Sequence, residues 1–342
     1  MPSAFGPGRG AAVALLLAAI GAGQEQEPPH VLPRVETSRV VLEARVTDSH
    51  GRPLPGLGPA DFRLEVDGRP RPVESALWVA ESPTVARALP SPGAPALTTS
   101  PGRLVVLLFQ KDFESSRLRG LLQSIRQAKD LVAPFSPSDR VAVLTYDSRL
   151  RLHLDFTADF DAVRRVLDES VLLGWPAPLP SGEPPSLAAR LDREEARKAA
   201  APEQALLALG RALRPIPGPK TVLFFSWGLG ELIGGAVRPH YTYDAARSAL
   251  DAASAAVFCL DVTDAAWHSL EVGLQQVAED TGGEYFKVHE NAGAALSRVA
   301  AALAGHYVVT FERPEGRRGE HRLRLALAGR RGTVLTRTRY VD

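Results

Sequence analysis

The sequence predicts an α/β fold in which a doubly wound, mostly parallel sheet is inserted into a small antiparallel β-sandwich split in two along the chain. Three observations predict it. Residues 104–281 alternate short apolar runs with segments whose apolar residues recur at helical spacing, as parallel strands joined by crossover helices do. Residues 37–81 and 305–342 instead alternate apolar with polar side chains, the period of half-buried antiparallel strands. Between the first of these and the α/β stretch, residues 82–101 are rich in Pro, Ala, Ser and Thr and have no apolar period, which reads as an extended linker.

The elements follow in order. Residues 1–23 place one arginine, Arg9, before the apolar run 11–20 and the small residues Gly21, Ala22 and Gly23. That order predicts a secretory signal peptide, and the run is too short to cross a bilayer comfortably. No second segment of spanning length follows, so the expectation is a protein secreted or held in the periplasm, with no other transmembrane segment. Residues 24–36 read as a flexible segment. In 37–81, strands are expected at 40–46, 62–66 and 73–79, with Asp67-Gly68 as a hairpin turn.

The α/β unit is expected over 102–304. Its first strand, 104–109, is apolar throughout, as a strand covered on both faces should be. Leu118, Leu121, Leu122, Ile125, Ala128, Leu131 and Val132 then mark one face of a helix. A strand at 140–146, a helix at 159–167, a proline-rich loop at 174–185 and a single helix at 194–213 come next. Strands at 221–225 and 256–262 alternate with helices at 243–253 and 270–281, and a last helix spans 292–304. Residues 305–342 supply strands at 306–311, 321–327 and 333–341. Three strands on either side make thin sheets alone, so the two trios are expected to join into one sandwich.

Composition excludes several functions. Acidic and basic residues nearly balance over 342 residues, leaving a net charge of +1, so nothing draws the chain toward nucleic acid or anionic lipid. The single cysteine, Cys259, rules out an intrachain disulfide. It lies in an apolar run, where it acts as a small buried hydrophobe rather than a nucleophile. The eight histidines are scattered without metalloprotease spacing. Ser226 lacks the Gly-x-Ser-x-Gly elbow, because Phe224 stands at the first glycine position. The glycines from Gly228 to Gly234 do not keep dinucleotide-loop spacing. An enzyme is therefore not expected.

Several stretches together resemble a known family. The strand 104–109 with its polar loop, the strand 141–146, and Thr221 through Gly228 look like the first, second and fourth strands of a von Willebrand factor type A (VWA) domain, a Rossmann-type fold. Val46-Thr47-Asp48 with Gly51, Gly56-Leu57, Asp61-Phe62, the run Asp280 through Phe286, Tyr307 and Arg339-Tyr340 resemble the VWFA-related proteins grouped from Acidobacteria. The likeness spans nearly the whole chain after the signal peptide.

The resemblance implies a place to look for a site. Many VWA domains hold a divalent cation with Asp-x-Ser-x-Ser in the first loop, a threonine in the second and an aspartate within Ser-Asp-Gly in the third; the cation then bridges to a partner's carboxylate. Such hard oxygen ligands suit magnesium or calcium. Here the first loop offers Gln110, Asp112 and Glu114, no threonine occurs from 158 to 220, and the third loop reads Ser226-Trp227-Gly228. An indole N–H cannot replace a carboxylate ligand. The expectation is a degenerate metal-ion-dependent adhesion site on a non-enzymatic adhesion or scaffold module, with no cofactor. It would bind a protein partner through an edge formed by Gln110, Asp112, Glu114, Ser116, Ser226, Trp227 and Glu231. The alternative is a cation-dependent adhesion receptor whose rebuilt magnesium or calcium site uses Asp112, Glu114 and Ser116.

Overall fold

Seven residues, Leu104–Gln110, form strand β5 at the middle of a six-stranded sheet, and six of them are fully or nearly fully buried. The computed structural model describes residues 39–81, 102–133, 135–176, 184–288, 292–316 and 318–342. The expected signal peptide, the segment 24–36 and the linker 82–101 lie outside the described residues.

β5 is flanked by β6 (Arg140–Tyr146) and β8 (Lys220–Ser226), both parallel to it, and β8 by the parallel β11 (Ala255–Asp261). The short β12 (Tyr285–Lys287) closes one side, and β7 (Leu150–Thr157) runs antiparallel to β6 at the other. The sheet order is β12-β11-β8-β5-β6-β7. Helices cover both faces. One face packs under α1 (Ser115–Val132), α2 (Phe160–Glu169) and α7 (Ala292–Ala302) around Phe109, Phe225 and Phe258. The other packs under α4 (Pro202–Leu213), α5 (Tyr243–Ala252) and α6 (Glu271–Thr281) around Phe224, Cys259 and Leu250. The Cys259 thiol is wholly buried, which pushes its pKa well above the usual range and leaves it a packing group.

The single helix expected at 194–213 is two helices: α3 (Arg193–Lys198) and α4. Pro202 has no N–H to continue the first helix and is suited to start the second. Asp192 caps α3 by accepting from the Glu194 and Glu195 amides at 2.8 and 2.9 Å.

Strands β1 (Arg39–Thr47), β2 (Phe62–Val66), β3 (Arg69–Arg71) and β4 (Ser75–Ala80) precede the α/β unit. Strands β13 (Gly305–Glu312), β14 (Glu320–Leu327), β15 (Thr333–Leu335) and β16 (Arg339–Val341) follow it. They pair across the insertion into two four-stranded antiparallel sheets, β15-β1-β13-β4 and β16-β14-β2-β3. Residues 333–341 are thus not one strand but two, each in a different sheet. Leu42, Val46, Phe62, Leu64, Tyr307, Phe311 and Leu325 join the two sheets in one apolar cluster. At its centre the Tyr307 hydroxyl donates to the Leu54 carbonyl at 2.8 Å and accepts the Leu57 amide at 2.9 Å. Between β2 and β3, Asp67 and Gly68 have φ of 52° and 73°, the left-handed pair that a two-residue hairpin turn requires.

The antiparallel sheets cover the amino ends of the parallel strands. Arg45 of β1 reaches the Thr221 hydroxyl at 3.3 Å, and Arg247 of α5 pairs with Glu320 of β14 at 2.6 Å. Next to them, Asp139, with no exposed surface, takes the Arg103 amide at 2.8 Å, its guanidinium at 2.5 Å and the Ser136 amide at 2.7 Å. The carboxyl ends of β5, β6, β8 and β11 point the opposite way.

Candidate functional site

Ligands of open α/β sheets sit beyond the carboxyl ends of the strands, so the site is built from the loops that follow β5, β6, β8 and β11. Gln110 and Ser226 are the last residues of β5 and β8, and both are buried. The Ser226 hydroxyl donates to Gln110 Oε1 and accepts the Gly228 amide at 3.2 Å. These two strand ends present a neutral side-chain pair bonded to itself.

Beyond Gln110, the chain leaves the sheet and enters α1 at Ser115. The Asp112 carboxylate accepts the Glu114 amide at 2.9 Å and binds the Arg117 guanidinium. Arg117 also reaches Glu114 at 3.4 Å, and the Ser116 hydroxyl donates to Glu114 at 2.9 Å. Burial works to raise the Asp112 carboxyl, but the Glu114 amide and the Arg117 guanidinium outweigh it and hold its pKa below the usual value. The same guanidinium lies 3.9 Å from the Trp227 ring centroid, a cation–π stack. Trp227 is half-buried and packs against the Phe109 and Phe225 side of the core; its Nε1 is buried without a hydrogen-bond partner.

The structure therefore gathers Asp112, Glu114, Ser116 and Trp227 around Arg117, beside the Gln110–Ser226 pair. Glu231 stands apart from this group. It opens β9 (Glu231–Ile233), which pairs with β10 (Ala236–Arg238) in an exposed hairpin that puts Glu231 opposite Arg238. A magnesium or calcium ion at these loops would need several convergent oxygens with open lone pairs. The residues present do not fit it: Gln110 and Ser226 bind one another, and a guanidinium already sits on Asp112 and Glu114. Arg117 is the residue that sequence reasoning missed. Its signal was the spacing Glu114 to Arg117 at the start of a helix, where residues three apart are neighbours.

Large apolar side chains stand out from the same edge. Phe113 in the first loop is 59 % exposed, Trp175 is 76 % exposed and Trp267, after β11, is 67 % exposed. Trp175 is stacked by Arg151 at 5.1 Å, and Lys111, near it, pairs with Asp147 at 3.2 Å and reaches the Leu172 carbonyl at 3.5 Å.

A second polar cluster, also missed from the sequence, lies at the end of β11. Asp261, fully buried, accepts the Thr263 amide at 3.0 Å, the Tyr285 hydroxyl at 2.7 Å and His268 Nε2 at 2.7 Å. Glu271, the first residue of α6, pairs with Lys287 at 2.6 Å. Six and two residues separate Asp261, His268 and Glu271 in sequence, and no standard motif has that spacing.

No protein-family model and no curated protein matches the chain. Among solved structures, an aerotolerance-related membrane protein from Bacteroides fragilis, with multiple mutations to serines, is similar at a TM-score of 0.40 and 16 % identity, covering 59 % of this chain and 98 % of its own. A conserved hypothetical protein, BatB, from Bacteroides thetaiotaomicron is similar at 0.40 and 15 % identity, covering 59 % and 97 %. Proximal thread matrix protein 1 from the mussel byssus is similar at 0.40 and 12 % identity, covering 70 % of this chain and 51 % of its own. Likenesses of this size assign neither a family nor an activity, and the site rests on its own geometry.

Proposed function

We propose that this chain is an exported, non-enzymatic binding module, a VWA-like domain set in a β-sandwich, that recognises a protein partner with the carboxyl edge of its six-stranded sheet. The observation that carries this reading is Arg117, which bridges Asp112 and Glu114 and stacks on Trp227. A fixed guanidinium supplies the positive charge that a bridging cation supplies elsewhere, and it is tied to the fold rather than exchanged with solvent. Around it, Phe113, Trp175 and Trp267 offer the large, stiff side chains that anchor interfaces. An edge of this kind would engage its partner without magnesium or calcium.

Crosslinking capture from the native host, in chelator with magnesium or calcium added back, tests this. Capture should be the same with and without either ion, and Arg117→Met should abolish it while costing only about 1 kcal/mol of stability. Capture that returns only with magnesium or calcium, and that Asp112→Asn removes, would instead support the cation-dependent receptor built on Asp112, Glu114 and Ser116.

A further inference from the structure

We propose that Asp261, His268 and Glu271 form a binding site for a divalent transition-metal ion of the zinc type, at the β11 end of the same sheet edge but sharing no residue with the Arg117 group. One ligand atom from each of the three lies within 4.8 Å of the other two. Zinc bonds to nitrogen and oxygen at about 2.0–2.2 Å, which sets tetrahedral ligand atoms roughly 3.3–3.6 Å apart. The direct contact of His268 Nε2 with Asp261 Oδ2, now 2.7 Å, would open by roughly 0.6–0.9 Å to admit the ion, with Glu271 already within the same 4.8 Å.

The donor set selects the metal. One imidazole with two carboxylates is chemistry for zinc or its neighbours, whereas the all-oxygen group of Asp112, Glu114 and Ser116 is not. Three protein ligands also leave the fourth position open to water or to an incoming group.

The surroundings are those of a supported ligand set. Asp261 Oδ1 is fixed by the Thr263 amide at 3.0 Å, and Oδ2 by the Tyr285 hydroxyl at 2.7 Å. The His268 amide points to Glu271 at 3.4 Å, linking two of the ligands through the first turn of α6. Outer hydrogen bonds of this kind hold ligands in orientation and are felt in metal affinity. Access is through His268, whose side chain is 18 % exposed and whose neighbour Trp267 stands in solvent.

Charge makes the same point. Of the two buried carboxylates, Glu271 is paired with Lys287, whose ammonium sits 2.6 Å away and also binds the Ala266 carbonyl. Lys287 is a point charge on a flexible stem, a quarter exposed, and can swing to water. It acts as the resident counter-charge, and a metal ion entering the cluster competes with it directly.

That competition gives the test. The full chain is titrated with zinc by calorimetry and with cobalt(II) by visible absorption, which reports tetrahedral coordination. The expected result is one site, with His268→Gln and Glu271→Gln each weakening binding at least about tenfold. Lys287→Met should strengthen binding by about tenfold, because the competing ammonium is gone, and Asp112→Asn should leave it unchanged. Zinc binding absent up to about 1 mM in both the wild type and Lys287→Met overturns the proposal, as does binding that His268→Gln leaves intact. Should His268→Gln fail to fold, the sign of the Lys287→Met effect decides alone. Neither readout involves the captured partner, so failure here leaves the proposed binding edge standing, and the reverse holds too.

Discussion

The two ends of the six-stranded sheet are built from the same kinds of residue and treat them oppositely. At the amino end, charged side chains are sealed in: Arg45, Arg103, Asp139, Lys220 and Arg247 are all buried where the antiparallel sheets cover the parallel strands. Lys220 gives its ammonium to the Ala253 carbonyl at 2.7 Å, and burial pulls its pKa down to about 8. At the carboxyl end, apart from the buried Asp261 and Glu271 after β11, Arg117 and Asp112 pair partly in water, and tryptophans stand in solvent. Partners for buried charge hold the molecule together, while apolar surface left uncovered is available to something else. Polarity alone does not locate a site; cover does.

Three measurements would break or sharpen that contrast. The largest effect is expected from Asp139→Ala at the sealed end. Removing the carboxylate leaves Arg103 and two amides buried and unpaired, and should cost about 3–5 kcal/mol in urea unfolding without altering partner capture. Burial works to raise the Asp139 carboxyl, but Arg103 and the amides outweigh it and hold its pKa below the usual value. Its stabilisation is therefore complete above the unfolded value of about 4 and lost as pH falls through the lower folded value. Capture lost along with stability would mean that the two ends are not independent.

Asp251, also at the sealed end, should move the other way. It lies 3.7 Å from Arg247, yet burial raises its carboxyl pKa to about 7. A carboxyl with a raised folded pKa stabilises the protein below its unfolded value and loses that contribution as pH rises through the folded one. Asp251→Asn should then change little at pH 4 and gain about 2 kcal/mol at pH 8, read from melting curves across that range. A flat profile would show that Arg247 already neutralises it.

The smallest change in stability is expected at the open end. Trp175→Ala and Trp267→Ala remove mostly solvated rings, so unfolding free energies should stay within about 0.5 kcal/mol of wild type. If the edge is the binding surface, capture should weaken at least tenfold, the loss of about 1.4 kcal/mol or more expected at an interface anchor. Full capture by the double variant would move the partner surface elsewhere.

Much of the architecture was legible in the sequence because burial leaves a period. Unbroken apolar runs marked β5, β8 and β11, and alternation marked β1, β2 and β14. Strand β7 was legible and overlooked: Leu150, Leu152, Leu154 and Phe156 alternate with Arg151, His153 and Asp155, a period of two directly after the turn at Ser148, whose φ is 67°. The hairpin of β9 and β10 turns at Gly234-Gly235, a pair visible only once the neighbouring glycines are not taken as one loop. The site was less legible. Arg117 over Trp227 joins residues far apart in sequence, and Asp261 with His268 depends on the path of an irregular loop. Side-chain contacts across loops have no period to read.

The pairing of β4 with β13, where Ala80 faces Gly305, places the way into the α/β unit beside the way out of it. This bears on the order in which the molecule assembles. The bond from the Leu57 amide to the Tyr307 hydroxyl closes 250 residues of chain, and pairing at such separation is slow when the intervening chain is unfolded. Once the α/β unit has formed, its own ends lie together, and the remaining strands meet across a short gap. The antiparallel sheets should accordingly form last and from both termini at once, so a nascent chain gains its interior domain before its outer one.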